Sequence, residues 1–464
     1  MPADLGPLFD PRRVLLVGAS DTTLFSTGIG RYLLAHGYGD RLTMVNPKNK
    51  TVYGRPAHPS ITAAAGEGPF DLAIVVIPAP AVPGAIEELA AIDCRLAIVE
   101  SAGFAEIGQA GAALQERLKE TAARCGVRVL GPNCVGVVNT GNGFSSTEVQ
   151  AESLAPGGVA LVAQSGVFGS ILLDTAPLIG LRFSKAITLG NRVDLDEADF
   201  LNYLAADPAT RVVAMYLEGV ADGPRFLDAV KKCAARKPVL VLKSGRTAAG
   251  AKAVGSHTAS LAGRDEVFAG ALRQAGGVRV ATLEQLTDAA RACDLCPVPR
   301  GDRVAMVTTS GSQGILAADI LHDAGLPLAK LSRETLDYLR SLTPAWVSIG
   351  NPLDLGPSGV YAQGVAALLE DPNVDALIVI VAIPWGAIKP AFAQGAPISF
   401  LLGDLDELRR ASRHKPVLVA HLGHPDFTDA VAKEIRDFLP LYPNSERAAR
   451  ALADLMRIKT APTS

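Results

Sequence analysis

Apolar runs of strand length recur through the first third of the chain, at Val14–Val17, Leu42–Val45, Leu72–Ile77, Leu96–Val99 and Val127–Leu130. Between them lie longer stretches rich in Ala, Leu and Glu, such as Val82–Ala91 and Ala110–Ala123. A strand without polar alternation is buried on both faces, and helices between such strands supply the cover. The pattern predicts a parallel sheet in a Rossmann-like domain over residues 1–145.

From Ala155 the pattern restarts, and it then occurs twice. Gly158-Val-Ala-Leu-Val-Ala-Gln-Ser165-Gly166 is matched by Asp302-Arg-Val-Ala-Met-Val-Thr-Thr-Ser310-Gly311. Each reads as a buried strand, a Ser-Gly turn and the start of a small-residue helix. Gly190-Asn191 recurs as Gly350-Asn351, Asp207-Pro208 as Asp371-Pro372, and Lys237-Pro238-Val-Leu-Val as Lys415-Pro416-Val-Leu-Val. The spacing of matched residues grows from 145 (Ser165 to Ser310) through 160 (Gly190 to Gly350) and 164 (Asp207 to Asp371) to 178 (Lys237 to Lys415). Matching order with drifting spacing fits a duplicated α/β domain whose loops differ in length. The copies are assigned to residues 150–296 and 300–464, with Pro297-Val-Pro-Arg-Gly301 as the linker.

Composition narrows the picture. A chain of 464 residues suits about three domains. Hydrophobic residues make up 48% and charged ones 20%, enough to bury sizeable cores. The net charge of −3 speaks against a nucleic-acid surface or a polybasic membrane surface. With 5% aromatics, base-stacking platforms are not evident. Six cysteines in this length form no disulfide framework. Cys293 and Cys296 have CxxC spacing, but nothing completes a zinc site. The start of the chain lacks the basic and apolar regions of a signal peptide, and no apolar run is long enough to span a bilayer. The expectation is a soluble, cytoplasmic protein.

The candidate chemistry sits in the loops. The first strand runs into Val17-Gly18-Ala19-Ser20, and Gly28-Ile29-Gly30 opens the next helix. Small residues there let backbone amides approach a phosphate, although Leu33 breaks a complete GxGxxG. Lys48 follows the second strand, where a dinucleotide reader places an acid. Its charge favours a phosphorylated ribose, as in NADP or the 3′-phospho-ADP of coenzyme A. Pro78, Ala79 and Ser101 lie on loops after the third and fourth strands, at the end of the sheet where ligands bind. Asn133 follows the fifth, beside Cys134, which is read as a buried small hydrophobe.

In the first copy, Ser165-Gly166-Val167 stands where free amides and the positive end of a helix make an anion site. A plain N-cap is the other reading of Ser165. The absence of a GxSxG elbow disfavours a serine hydrolase. The stretch Lys243–Gly263 is almost entirely Gly, Ala, Ser and Thr around His257, so it has little to bury. A loop histidine is ordinarily a surface residue, but the second copy has no such loop after Lys415. Glu218 ends the strand Val212–Leu217 at the same sheet edge, where the second copy has Ala382 or Ile383. A carboxylate that accepts from one imidazole nitrogen fixes the tautomer and leaves the other nitrogen as a nucleophile. Both residues belong to one copy only.

Taken in order, Val-Gly-Ala-Ser, Val-Asn-Pro-Lys, Ser-Ala-Gly-Phe, Gly-Pro-Asn-Cys, Gln-Ser-Gly, Leu-Gly-Asn, Tyr-Leu-Glu-Gly, Lys-Ser-Gly-Arg and Ser-His-Thr resemble the ADP-forming acyl-CoA synthetases. These are relatives of succinyl-CoA synthetase, and the resemblance covers essentially the whole chain as an α-subunit or α-half. It implies a CoA-binding domain followed by two flavodoxin-like, succinyl-CoA-ligase-like domains. It also implies a reaction in which acyl-CoA and phosphate give an acyl phosphate, whose phosphoryl group passes to His257 and then to ADP at a second site. By the same resemblance Glu218 orients that histidine, and Ser165, Gly166 and Val167 hold its phosphate. Asn133 falls on the acyl or phosphate side, and Gly18, Ser20, Lys48, Pro78, Ala79 and Ser101 fall on CoA-contacting loops. Where the family usually reads Ser-His-Thr-Gly and Ser-Gln-Ser-Gly, this chain has Ala259 and Ala163.

No Gly-Lys-Ser/Thr pairing is present, so there is no Walker A loop. The resemblance then implies that ATP or ADP with its Mg²⁺ is held on a separate ATP-grasp β-subunit, in a hetero-oligomer such as α2β2, with no metal site on this chain. Two other readings stand beside this one. The first is a non-catalytic CoA- or acyl-CoA-binding protein. The second is an NADP-dependent oxidoreductase, which leaves the Ser-His-Thr loop without a role.

Overall fold

The computed structural model describes residues 4–22, 24–147, 154–250, 252, 264–395 and 399–458. His257 and Ala259 lie outside the described residues. The chain divides into two compact units, Met1–Val280 and Ala281–Ser464.

The first unit holds two sheets. Apolar runs supply five parallel strands, ordered Leu42–Val45, Val14–Val17, Leu72–Val75, Leu96–Val99 and Arg128–Leu130. In chain order this is 2-1-3-4-5, so the order in which strands are added reverses between the first and third strands. Every residue of the first four strands is buried, as a sheet covered on both faces requires. The second sheet runs Val278–Val280, Val239–Lys243, Val212–Leu217, Val159–Ala163 and Phe183–Thr188, all parallel. Its chain order is again 2-1-3-4-5, read from the other edge. Two antiparallel strands, Val137–Asn139 and Phe144–Ser145, extend it beside Phe183–Thr188. They lie within the first 145 residues, yet pair with the second sheet.

The second unit repeats the order a third time, with Leu353–Asp354, Val304–Thr308, Ala376–Ala382, Val417–Leu422 and Leu441–Tyr442, all parallel. The helix Leu283–Leu295 joins this unit rather than the sheet that precedes it in the chain. Arg447 grips Asp288 with two bonds, one to each carboxylate oxygen, of 2.6 and 2.7 Å. Gln285 donates to Asp454 at 2.7 Å. The partners Arg447 and Asp454 stand on the helix Ser445–Met456, so these contacts bind the two helices together.

Candidate active site

The strand Val159–Ala163 passes into Gln164 and Ser165, and the helix Gly166–Ile179 begins at once. Ser165 is the N-cap, and its hydroxyl accepts from the Phe168 amide at 3.4 Å. The amides of Gly166 and Val167 have no partner within the helix, because the first turn of any helix leaves its donors open. Val167 is exposed, and Gly166 packs so tightly on Val135 that a Cβ would collide with it. Asn133 and Val135 therefore lie on the loop that abuts this helix start. Val135 is held there by its backbone N–H, which donates to Thr188 Oγ1 at 2.8 Å.

Glu218 is buried at the end of the strand Val212–Leu217. A buried carboxylate needs local donors and a fixed backbone to remain usable. Gln164 supplies the fixed backbone. Its buried Oε1 accepts from the Glu218 amide at 2.8 Å and from the Gly219 amide at 3.2 Å. The Tyr216 hydroxyl lies 3.4 Å from Glu218 Oε1 as a donor, and its ring stacks on Phe168 with centroids 4.0 Å apart. Burial raises the Tyr216 pKa, and the Glu218 charge adds to the effect, so the phenol stays protonated as a donor.

Asn133 adopts φ +57° and donates to Asn191 Oδ1 at 3.3 Å. Asn191 in turn donates to Glu106 Oε2 at 2.6 Å and Gln115 Oε1 at 2.9 Å. Burial alone would raise the Glu106 pKa, but the bonds from Asn191, Gly103 and Phe104 outweigh it and hold the carboxyl below its usual value. Lys243, at the end of the neighbouring strand, is buried and donates to the Ser244 carbonyl at 3.0 Å. Burial and nearby Arg279 lower its pKa.

The remaining predicted residues line the carboxyl end of the first sheet, at its reversal point. Gly18 has φ +89°, and a Cβ would strike the Val76 carbonyl, so only glycine fits. Ser20 is buried and hydrogen-bonds with Thr22, while the Tyr53 hydroxyl donates to its carbonyl at 2.5 Å. Asn46 Oδ1 accepts from the amides of Lys48 and Asn49, which shapes the loop and leaves the Lys48 side chain exposed. Pro78 is exposed and Ala79 buried. The Ser101 hydroxyl accepts from the Ile77 amide at 3.2 Å and contacts the Val75 carbonyl at 3.4 Å, so it ties two loops of the sheet together.

The structure thus brings Ser165, Gly166, Val167, Asn133 and Glu218 into one connected set of contacts, and it groups Gly18, Ser20, Lys48, Pro78, Ala79 and Ser101 around the first sheet. The sequence alone does not mark Gln164, Asn191, Glu106 and Tyr216 as site residues. Asn191 recurs as Asn351 and Gln164 stands opposite Thr309, so the matched motifs mark these positions without marking their roles. Among the described residues no cluster of three or more metal-ligating side chains occurs, and no helix is long and apolar enough to cross a membrane.

Three family models match the chain in sequence. They are a CoA binding domain over residues 12–140, a succinyl-CoA ligase like flavodoxin domain over 156–293 and a ligase-CoA domain over 304–454. The α-subunit of acetate–CoA ligase [ADP-forming] II from Pyrococcus furiosus is 34% identical over 97% of this chain and 96% of its own length. Acetate–CoA ligase [ADP-forming] II from Archaeoglobus fulgidus is 37% identical over 82% of this chain, but the match spans only 57% of that longer protein. Acetyl-coenzyme A synthetase 1 of Candidatus Korarchaeum cryptofilum, solved in complex with phosphate and ADP, matches with a TM-score of 0.88 at 31% identity. That match covers 98% of this chain and 97% of the other.

Proposed function

We propose, for a chain that belongs to the ADP-forming acyl-CoA synthetase family, that it is the α-subunit of an acetate–CoA-type ligase. The reaction interconverts acyl-CoA, ADP and phosphate with carboxylic acid, CoA and ATP. Phosphate attacks the thioester carbonyl to give an acyl phosphate and release CoA as the thiol. The imidazole of His257 then takes the phosphoryl group from the acyl phosphate, which leaves as the carboxylate. ADP accepts the phosphoryl group from the phosphohistidine on an ATP-grasp β-subunit, which carries the nucleotide with its Mg²⁺.

The observation that carries this reading is the placing of Glu218. Gln164 fixes its backbone, Tyr216 donates towards its carboxylate, and the open amides of Gly166 and Val167 begin next to Gln164. A carboxylate in that position accepts from one imidazole nitrogen, and the helix start receives the phosphoryl group carried on the other. Asn133 stands on the acyl side, and Lys48 offers its charge to the 3′-phosphate of CoA. Neither an acyl-CoA-binding protein without chemistry nor an NADP-dependent oxidoreductase gives a use to the Glu218 arrangement.

The test combines the chain with its β-partner and ATP labelled in the γ-phosphate. Acid-labile phosphoprotein is expected in the wild type and is absent from His257→Ala. Equal labelling of the two proteins sinks the mechanism.

A further inference from the structure

Gln164 grips only the amide side of the Glu218–Gly219 turn. The carbonyl side is held by Arg192, whose NH1 donates to the Gly219 oxygen at 2.8 Å and to Glu197 Oε2 at 3.2 Å. Both side chains are interior, with 8% of the Arg192 side chain and 2% of Glu197 exposed. Among the described residues Arg192 Nε is buried without a hydrogen-bond partner, and the residue adopts φ +57°. A left-handed backbone and an unused buried donor each disfavour this arrangement. Apolar residues commonly replace such an interior ion pair with no loss of stability. Stability alone does not explain the arginine.

Its place in the chain does. Arg192 follows Asn191, which bonds Asn133, Glu106 and Gln115, so it connects the acyl-side loop with the Glu218 turn. The matched residue in the second copy is Pro352, which offers no side-chain donor, and there Ala382 replaces the glutamate.

We infer that Arg192 is a positioning residue, which sets the direction of the Glu218 carboxylate by holding the Gly219 carbonyl while Glu197 fixes the guanidinium. The inference rests on the reading of Glu218 as the partner of the phosphohistidine. Both bonds leave the same nitrogen, NH1, whose two hydrogens lie in the rigid guanidinium plane and so point to Gly219 and Glu197 at fixed angles. Arg192 works through the turn and not on the reacting atoms.

The experiment uses the complete enzyme, with the β-partner present, and follows phosphoprotein formation in a single turnover. Arg192→Met should slow labelling at least about tenfold, because small misplacements of catalytic groups are costly. KM for CoA and for nucleotide should change less than about twofold, since neither contact is touched. Arg192→Lys should fall between Arg192→Met and the wild type. In a Glu218→Gln background, Arg192→Met should add almost nothing, because its effect passes through the missing carboxylate. A wild-type labelling rate in Arg192→Met, or its full loss repeated on top of Glu218→Gln, overturns the inference. Should Arg192→Met fail to fold by circular dichroism, the nearly isosteric Glu197→Gln decides. About threefold slower labelling is then expected, and an unchanged rate overturns the inference. A wild type that takes no label defeats the functional reading itself, whatever the Arg192 variants do.

Discussion

At matched positions in the two copies of the α/β domain, Gln164 Oε1 accepts from the Glu218 amide and Thr309 Oγ1 accepts from the Ala382 amide, both at 2.8 Å. The same backbone clamp therefore closes the same strand end in each. Lys237 donates to the carbonyls of Leu204 and Asp207, and its counterpart Lys415 donates to those of Leu368, Leu369 and Asp371. These shared contacts are scaffold. The differences gather at the loops beyond the strands. Ser165 caps its helix, whereas the Ser310 hydroxyl pairs with Ser312 and caps nothing. Asn191 reaches Asn133, Glu106 and Gln115, whereas Asn351 spends its amide on the Val304 and Ala329 carbonyls and the Met306 amide. On the proposed reading of Glu218, one framework supports a reactive face in one copy and a structural face in the other.

Substitutions at matched positions sharpen or break this contrast. The largest effect is expected at the strand end. Glu218→Gln should slow phosphoprotein formation about a thousandfold, within the usual range for a positioned acid–base group. Ala382→Ser should leave the rate unchanged within about twofold. Equal losses in a single-turnover assay would mean that both faces are reactive.

The second test lies in the adjacent strand, where Lys243 and His421 are matched. Burial lowers the pKa of His421 to about 4, with Arg291 pushing it further down and Asp429 opposing. Below pH 6.5 the unfolded chain takes up the proton while the folded chain stays neutral, so stability falls with pH until the folded pKa is passed. The loss from this one residue is about 3 kcal/mol between pH 6.5 and 4. Thermal melts of His421→Leu across that range should show a visibly shallower acid decline. An identical slope in the variant would refute the claim.

The smallest effect concerns the two serines. Ser165→Ala should cost about 1 kcal/mol in denaturant unfolding, the usual value of an N-cap, and Ser310→Ala less than about 0.5 kcal/mol. Equal costs would erase the contrast at the helix starts.

Much of this was readable in advance. Strands buried on both faces carry unbroken apolar runs, and Val14–Val17, Leu42–Val45 and Leu96–Val99 end where those runs end. The motifs matched between the second and third sheets fall at corresponding strand ends of two sheets with one strand order, which the first sheet shares. What escaped is non-local. Val137–Asn139 and Phe144–Ser145 are too short to announce which sheet they join, since partner choice is settled by distant backbone. Ser101 sits where a ligand-contacting hydroxyl is expected, but its bonds run to Ile77 and Val75, which are distant in sequence. Arg192 and Glu197 read as ordinary charged residues near a helix start until both are seen to be interior.

The helix Leu283–Leu295 carries a lesson for anyone who would divide the chain or exchange its parts with a relative. The proline-rich stretch Pro297–Gly301 invites the cut, yet separation there would strip the interior Asp288 of both its bonds from Arg447, and would take Gln285 from the interior Asp454, leaving it Arg457. A fragment that begins at Ala281 keeps both bonds. The modular seam of this protein lies one helix earlier than its punctuation.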